Sequence, residues 1–144
     1  MANVLELSQI RLGGTATDRD GAIAEAAAIL TEAGAVTPEY LDYMLQRENT
    51  VSTYMGNLLA IPHGTNEGKD TILESALSFV RYDEPIDWGG EEVRFVVGIA
   101  GKENGHLEIL TKIAIVFSEE DDVAKLVAAS TPEEVLDLLG DIND

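Results

Sequence analysis

The sequence contains no cysteine among its 144 residues, and only 9 Lys and Arg residues against 27 Asp and Glu residues. The absence of cysteine excludes a disulfide framework, thiol catalysis and cysteine-ligated zinc. The formal net charge of −18 repels phosphate backbones and anionic lipid headgroups. We therefore expect neither nucleic-acid binding nor attachment to a membrane surface, whereas a basic protein partner would be attracted.

Long hydrophobic runs are also absent. The longest apolar stretches, 95–100 and 113–117, are far too short to cross a bilayer. The first residues lack the basic and apolar segments of a signal peptide, so we expect a cytoplasmic protein. With 45% hydrophobic and 25% charged residues, the composition is typical of a globular chain. The length predicts a single domain over 1–144 that buries its own core.

Helix start and stop signals recur along the chain. Thr17 with Asp20 predicts a capping box ahead of an alanine-rich helix over 22–33, which should end at Gly34. The pair Thr37–Pro38 predicts a second helix that reaches about Glu48. Further helices are predicted over 104–117, 118–128 and 131–140.

The predicted helix over 104–117 has an apolar stripe. It consists of Leu107, Leu110, Ala114 and Phe117 at steps of three and four, widened by Ile109, Ile113 and Val116. We expect this helix to be mostly buried.

Strand signals alternate with the helices. The apolar run 93–100 predicts a central strand covered on both faces, 75–82 and 58–61 predict two more strands, and 9–12 predicts a weak edge strand. Segment 83–92, with Pro85, a glycine pair and five carboxylates, predicts an exposed loop. The order of elements predicts an α/β fold, with a small mixed sheet flanked by helices on both faces.

His63 follows a predicted buried strand in the segment Ile61–Pro62–His63–Gly64–Thr65. Proline keeps the residue before it extended, so the strand runs up to the turn. Gly64 leaves room for another backbone or an anion beside the imidazole. An imidazole at the carboxyl end of a core strand is well placed as a nucleophile. The local sequence alone favours an ordinary surface histidine in a turn over a nucleophile.

His106 and Arg47 are the other candidate site residues. His106 lies in the first turn of a predicted helix, after the expected N-cap Asn104, where free N–H groups and the helix dipole favour an anion. Arg47 lies near the end of the second predicted helix. Either residue alone has a plain structural explanation, because polar groups favour helix starts and cations favour helix ends.

Other signals in the sequence are weaker. Segment 64–69 resembles a phosphate-binding loop, but it is one residue short and Asp70 replaces the hydroxyl residue that would hold magnesium. The two histidines, His63 and His106, lack the spacing of a zinc pair. We therefore expect no metal and no bound cofactor. Trp88 in the acidic segment fits either an interface anchor or a clamp onto the core.

Two segments together resemble a known family. Segment 47–65, which ends in Ile-Pro-His-Gly-Thr, is similar to the core of the enzyme IIA components of the bacterial phosphoenolpyruvate-dependent sugar phosphotransferase system, mannitol-fructose class. Segment 98–110, Gly-Ile-Ala-Gly-Lys-Glu-Asn-Gly-His-Leu-Glu-Ile-Leu, is similar to the mannitol branch. The resemblance extends from about Leu5 to Leu139.

The resemblance implies a phosphoryl relay in sugar uptake, with three residues at its active site. It implies that His63 is the phosphorylated nucleophile and that His106 and Arg47 are active-site residues. It also implies that the phosphohistidine of the carrier protein HPr is the donor, and that a cysteine of the IIB component of the permease is the acceptor. Neither a metal nor a nucleotide is needed for such a relay.

Two other functions remain open at the level of the sequence. A regulatory binding module of the same fold would be controlled by phosphorylation of His63. A metal-dependent hydrolase would use both histidines and a carboxylate, and it predicts bound zinc.

Overall fold

The computed structural model describes residues 4–102, 105–140 and 142, with the side chains of residues 105 and 106 outside that description. Within these residues, five strands form one sheet in the order β1-β4-β5-β3-β2. The strands are β1 (Ile10–Arg11), β2 (Tyr54–Gly56), β3 (Leu59–Ala60), β4 (Ala76–Trp88) and β5 (Glu91–Ala100).

The sheet is mixed, as predicted. β4 and β5 form a long antiparallel hairpin at its centre. β1 pairs parallel with β4 on one side, where Ile10 is opposite Phe79. β3 pairs parallel with β5 on the other side, where Leu59 is opposite Phe95, and β2 adds an antiparallel edge. The parallel pairs place the ends of β3 and β5 at the same edge of the sheet.

Helices cover both faces of the sheet, which confirms the predicted α/β class. The described helices are α1 (Arg19–Glu32), α2 (Tyr40–Thr50), α3 (Gly105–Phe117), α4 (Glu120–Ala128) and α5 (Pro132–Leu139). Residues of α1 and α2 pack on one face in a core with Val80 and Val96. Residues of α3, α4 and α5 pack on the opposite face with Phe79 and Phe95. None of the described helices combines the length and the apolar character needed to span a bilayer.

The expectation of an exposed loop over 83–92 was wrong. β4 continues to Trp88 and β5 begins at Glu91, so only the two glycines of this segment form the turn. Both glycines have positive φ, 66° at Gly89 and 96° at Gly90, which suits a tight hairpin. Ile86 and Trp88 are buried in the core, whereas all five carboxylates of the segment are exposed. The acidic residues are therefore exposed on the two strands near the turn and do not form a loop.

Some helix details also differ from the predictions. Asp18, one residue after the predicted Thr17, is the N-cap of α1 and accepts a hydrogen bond from the Gly21 N–H at 2.7 Å. The hydroxyl of Ser118 donates back to the carbonyl of Ile115, so it ends α3 and does not cap α4. The predicted cap of α5 is confirmed, since Thr131 accepts from the Glu134 N–H.

The buried face of α3 is rotated relative to the predicted stripe. Ile109, Ile113 and Phe117 are buried, whereas Leu107 is 58% exposed. These three buried residues are spaced by four, and the partly buried Leu110 and Val116 pack beside them. Asn104, the predicted N-cap of this helix, lies outside the described residues.

A hairpin connects β2 and β3 just before His63. Its turn residues Asn57 and Leu58 have φ values of 50° and 71°, in the left-handed region. The Asn57 amide donates to the carbonyl of Phe117 at 2.7 Å. The segment that leads to His63 is thereby attached to the last turn of α3.

Candidate functional site

His63 lies at the end of the segment that extends β3. Ile61 and Pro62 are buried, and the Ile99 N–H donates to the Pro62 carbonyl at 3.0 Å. His63 thereby forms an isolated parallel bridge with Ile99 of β5, and its side chain is half-buried. The structure places His63 at a strand end, where the sequence predicted it.

A hydrogen bond to the Ile61 carbonyl determines which nitrogen of the His63 ring carries the proton. Nδ1 lies 2.9 Å from the carbonyl oxygen of Ile61. Because a carbonyl oxygen only accepts, Nδ1 carries the proton in this contact. A neutral ring protonated on Nδ1 has its lone pair on Nε2.

Gly64 is required by a neighbouring aromatic ring. A Cβ at this position would lie 2.5 Å from Cε1 of Tyr40 and 3.1 Å from Cζ. The space that the sequence left open for a backbone or an anion is therefore filled by a side chain of α2. The absence of a side chain at Gly64 lets this ring pack directly beneath the residue that follows His63.

Arg47 borders the same cavity as His63. This cavity has a volume of about 360 Å³ and lies between the end of α2 and the segment 63–69. Arg47 is half-buried in the last turn of α2, and its Nη1 donates to the Val51 carbonyl at 2.6 Å. This contact holds the guanidinium at the cavity wall, while its planar array of N–H groups has further donors for an anion.

The structure also shows site residues that the sequence analysis missed. Lys69 lines the cavity as a second cation, together with the hydroxyl-bearing residues Thr50 and Thr65. Thr65 Oγ1 is buried without a hydrogen-bond partner in the described residues. The sequence pointed to Lys69 only through the discarded phosphate-loop pattern. Glu67 also lines the cavity, so the two cations outnumber one carboxylate, and this balance favours an anionic ligand in a chain with only 9 basic residues.

Glu48 supports the turn beside Arg47. Its carboxylate is buried and accepts the N–H of Thr53 at 2.7 Å, the hydroxyl of Thr53 at 2.5 Å and the indole N–H of Trp88 at 3.1 Å. Trp88 is therefore a clamp onto the core, one of the two roles that the sequence left open. No sequence signal marked Glu48, because an isolated acidic residue in a helix is normally solvated.

The structure describes the backbone of His106 but not its side chain. His106 lies in the first turn of α3, as predicted. Its role at the site stays a prediction. Among the described side chains, no group of three or more His, Asp or Glu residues has the arrangement of a metal site.

The chain was compared with known families and proteins. The model of the family "Phosphoenolpyruvate-dependent sugar phosphotransferase system, EIIA 2" matches residues 3–141. A mannitol-specific phosphotransferase enzyme IIA component of Halalkalibacterium halodurans is 47% identical over 141 residues, which are 98% of this chain and 97% of that protein.

Solved structures agree with this match. The crystal structure of IIA mannitol from Escherichia coli has a TM-score of 0.88 and 36% identity, over 94% of this chain and 99% of that one. A complex of enzyme IIA and phosphorylated enzyme IIB for mannitol from Escherichia coli contains a chain with a TM-score of 0.89 and 35% identity, over 95% and 97% of the two chains. The chain therefore belongs to the EIIA 2 family of the phosphoenolpyruvate-dependent sugar phosphotransferase system.

Proposed function

We propose that this chain is the enzyme IIA of a mannitol uptake system and that His63 carries the phosphoryl group. The observation that carries the proposal is the His63 ring, whose Nδ1 is bonded to the Ile61 carbonyl beside a cavity that also contains Arg47. The names of the relatives support mannitol as the sugar. The solved complex with phosphorylated IIB supports IIB as the acceptor. HPr is proposed as the donor from the family resemblance.

The first transfer needs no separate base. The lone pair of His63 Nε2 attacks the phosphorus of HPr phosphohistidine, a new N–P bond forms, and the old N–P bond breaks with its electron pair returning to the HPr ring. The proton on His63 Nδ1 stays in its bond to Ile61 O throughout. In the second transfer the thiolate of the IIB cysteine attacks the phosphorus, and the N–P electron pair returns to Nε2.

Positive groups at the cavity stabilise the transferring phosphoryl group. Charge spreads over its equatorial oxygens in a loose, in-line transition state. In this proposal Arg47 binds two of these oxygens in a fork, which an ammonium cannot do. His106 donates to a third oxygen, with the N–H groups of the first turn of α3 beside it. Since phosphoenolpyruvate is a cytosolic metabolite, we place the relay in the cytoplasm.

The test follows the mass of the intact protein. Incubation with phosphoenolpyruvate, enzyme I and HPr should add one phosphoryl group, which is stable in base and lost in acid, as expected of a phosphoramidate. His63→Ala should add none, whereas His106→Ala should still add one at a lower rate. A His63→Ala variant that gains the phosphoryl group would overturn the assignment of His63.

A second experiment distinguishes the proposed relay from a regulatory module. The phosphorylated chain is mixed with the cognate IIB domain, and both masses are followed in time. Transfer of the phosphoryl group to IIB within a single turnover is the result expected for the relay. A chain that accepts the phosphoryl group and never passes it to IIB would favour the regulatory module.

A further inference from the structure

The parallel bridge between His63 and Ile99 contains an inserted hydroxyl group. One bond of this bridge is direct, from the Ile99 N–H to the Pro62 carbonyl. In the position of the second bond, the Gly64 N–H donates to the hydroxyl oxygen of Tyr40 at 2.8 Å. The same hydroxyl donates to the Ile99 carbonyl at 2.7 Å. Tyr40 thus joins the two backbone groups that a regular ladder would pair directly.

The partners of the Tyr40 hydroxyl determine the direction of both hydrogen bonds, because the Ile99 carbonyl only accepts and the Gly64 N–H only donates. The side chain of Tyr40 lies almost wholly in the core, and this burial raises the pKa of its hydroxyl to about 12. The hydroxyl therefore keeps its proton at neutral pH. The hydroxyl donates this proton in a hydrogen bond to the Ile99 carbonyl, and its oxygen accepts a hydrogen bond from the Gly64 N–H.

The ring of Tyr40 constrains the same segment by contact. It packs so closely on Gly64 that an added Cβ would meet Cε1 at 2.5 Å. The segment after His63 is therefore held by a hydrogen bond and by a steric contact from one residue of α2. Both restraints act one residue from the imidazole.

We propose that Tyr40 is a positioning residue for phosphoryl transfer, one that sets the direction of the His63 ring without contacting the phosphoryl group. The inference rests on the proposed role of His63. The Nδ1 contact joins the His63 ring to the carbonyl two residues earlier, so its geometry depends on the backbone path from Ile61 to His63. In-line attack tolerates little error, since a misplacement of about 1 Å can cost about 10²-fold in rate.

A purely structural role for Tyr40 gives different expectations. Loss of a buried hydroxyl lowers the free energy of unfolding wherever it occurs, because its partners lose a hydrogen bond. A positioning role also lowers the rate of transfer in the bound complex. Tyr82 provides the matched control, because it is equally buried and its hydroxyl is bonded to Glu25, outside the cavity.

The experiment compares Tyr40→Phe with Tyr82→Phe in the full chain. Transfer from phosphorylated HPr is measured over a range of HPr concentrations. We expect Tyr40→Phe to lower kcat by about tenfold or more with an unchanged KM. The fraction of His63 protonated on Nδ1, measured by imidazole nitrogen NMR, should fall in the same variant. Tyr82→Phe should reduce the stability to urea and leave kcat and the tautomer as in the wild type.

A second variant covers the case in which Tyr40→Phe does not fold. Gly64→Ala pushes the ring away from its hydrogen-bond partners and should lower kcat in the same way. Wild-type kcat and a wild-type tautomer in either folded variant would overturn the role of Tyr40. That result would leave the proposed function intact, which is tested separately by phosphoryl uptake in His63→Ala and by transfer to IIB.

Discussion

The indole Nε1 of Trp88 lies 3.1 Å from Oε2 of Glu48, so the end of β4 is bonded to the last turn of α2. Both side chains are buried. The same carboxylate accepts two hydrogen bonds from Thr53, and all three donors are uncharged. The turn that supplies the carbonyl partner of Arg47 is therefore attached to the end of β4 through a side chain in the core between the sheet and α2.

The first prediction concerns this bond. Trp88→Phe retains much of the packing but removes one donor to a buried carboxylate, so we expect a loss of about 1 to 3 kcal/mol in the free energy of unfolding. Urea unfolding followed by circular dichroism is the measurement, since Trp88 is the only tryptophan. Glu48→Gln, made alone and in the Trp88→Phe background, completes a double-mutant cycle. Additive losses would show that the two residues are not coupled.

The second prediction concerns the guanidinium at the cavity wall. Arg47→Lys keeps the charge but loses the fork that can bind two phosphoryl oxygens, so transfer to IIB should slow by about 10² to 10³. Single-turnover kinetics measure this rate. Arg19→Lys is the matched control, because Arg19 pairs with Asp20 at the start of α1 and does not line the cavity. Near-normal transfer by Arg47→Lys would indicate that Arg47 only ends its helix.

The third prediction concerns Glu25, a carboxylate of α1. Burial raises its pKa, but hydrogen bonds from Tyr82, Arg11 and the backbone of Thr15 and Ala16 outweigh burial, and the net pKa is lowered. A pKa that is lower in the folded state means that the unfolded chain binds more protons. The stabilisation is therefore complete well above the ordinary pKa of 4.5 and is lost as the pH falls through the folded value.

Glu25→Gln tests this directly. We measure the free energy of unfolding in urea for both chains between about pH 3 and pH 7. The difference between wild type and variant should be largest near neutral pH and should shrink on acidification. Other carboxylates titrate in both chains, so only this difference is interpreted. A difference that is constant with pH would contradict the role of Glu25.

The fourth prediction concerns the net charge of −18. If this charge steers a basic carrier protein, the transfer rate from phosphorylated HPr at subsaturating concentration should fall by about tenfold between low and high salt. Turnover of the bound pair should change little, because the contacts to the phosphoryl group are local. A rate that does not change with salt would indicate that the acidity only keeps the surface solvated, and the relay would stand.

Much of the fold was predictable because its signals are local. The central strand β5 was marked by its continuous apolar run, and the start of α5 by the pair Thr131–Pro132. The extension of β4 to Trp88 was missed because the acidic residues suggested a loop. In the sequence, the apolar residues Ile86 and Trp88 are separated by the polar Asp87, and this period of two is typical of the strand that the structure shows.

The candidate site was predictable only in part. His63 follows from a strand end and a Pro-His-Gly turn, both of which are local patterns. The contact of Tyr40 with Ile99 joins residues 59 positions apart, and that of Trp88 with Glu48 joins residues 40 apart. Sequence periodicity shows which helix face is buried, but it does not show which backbone group a buried hydroxyl will meet.

The bridge between His63 and Ile99 has a consequence for the synthesis of the chain. β4 and β5 are neighbours in sequence and can pair as soon as both have been made, whereas His63 waits for a strand 36 residues further on. His63 is synthesised before β5, so its bridge to Ile99 forms only after β5 has been made. An incomplete chain that ends before β5 contains the histidine but not the partner strand that orients it. If His63 carries the phosphoryl group as proposed, we expect chains that end before β5 to be phosphorylated poorly.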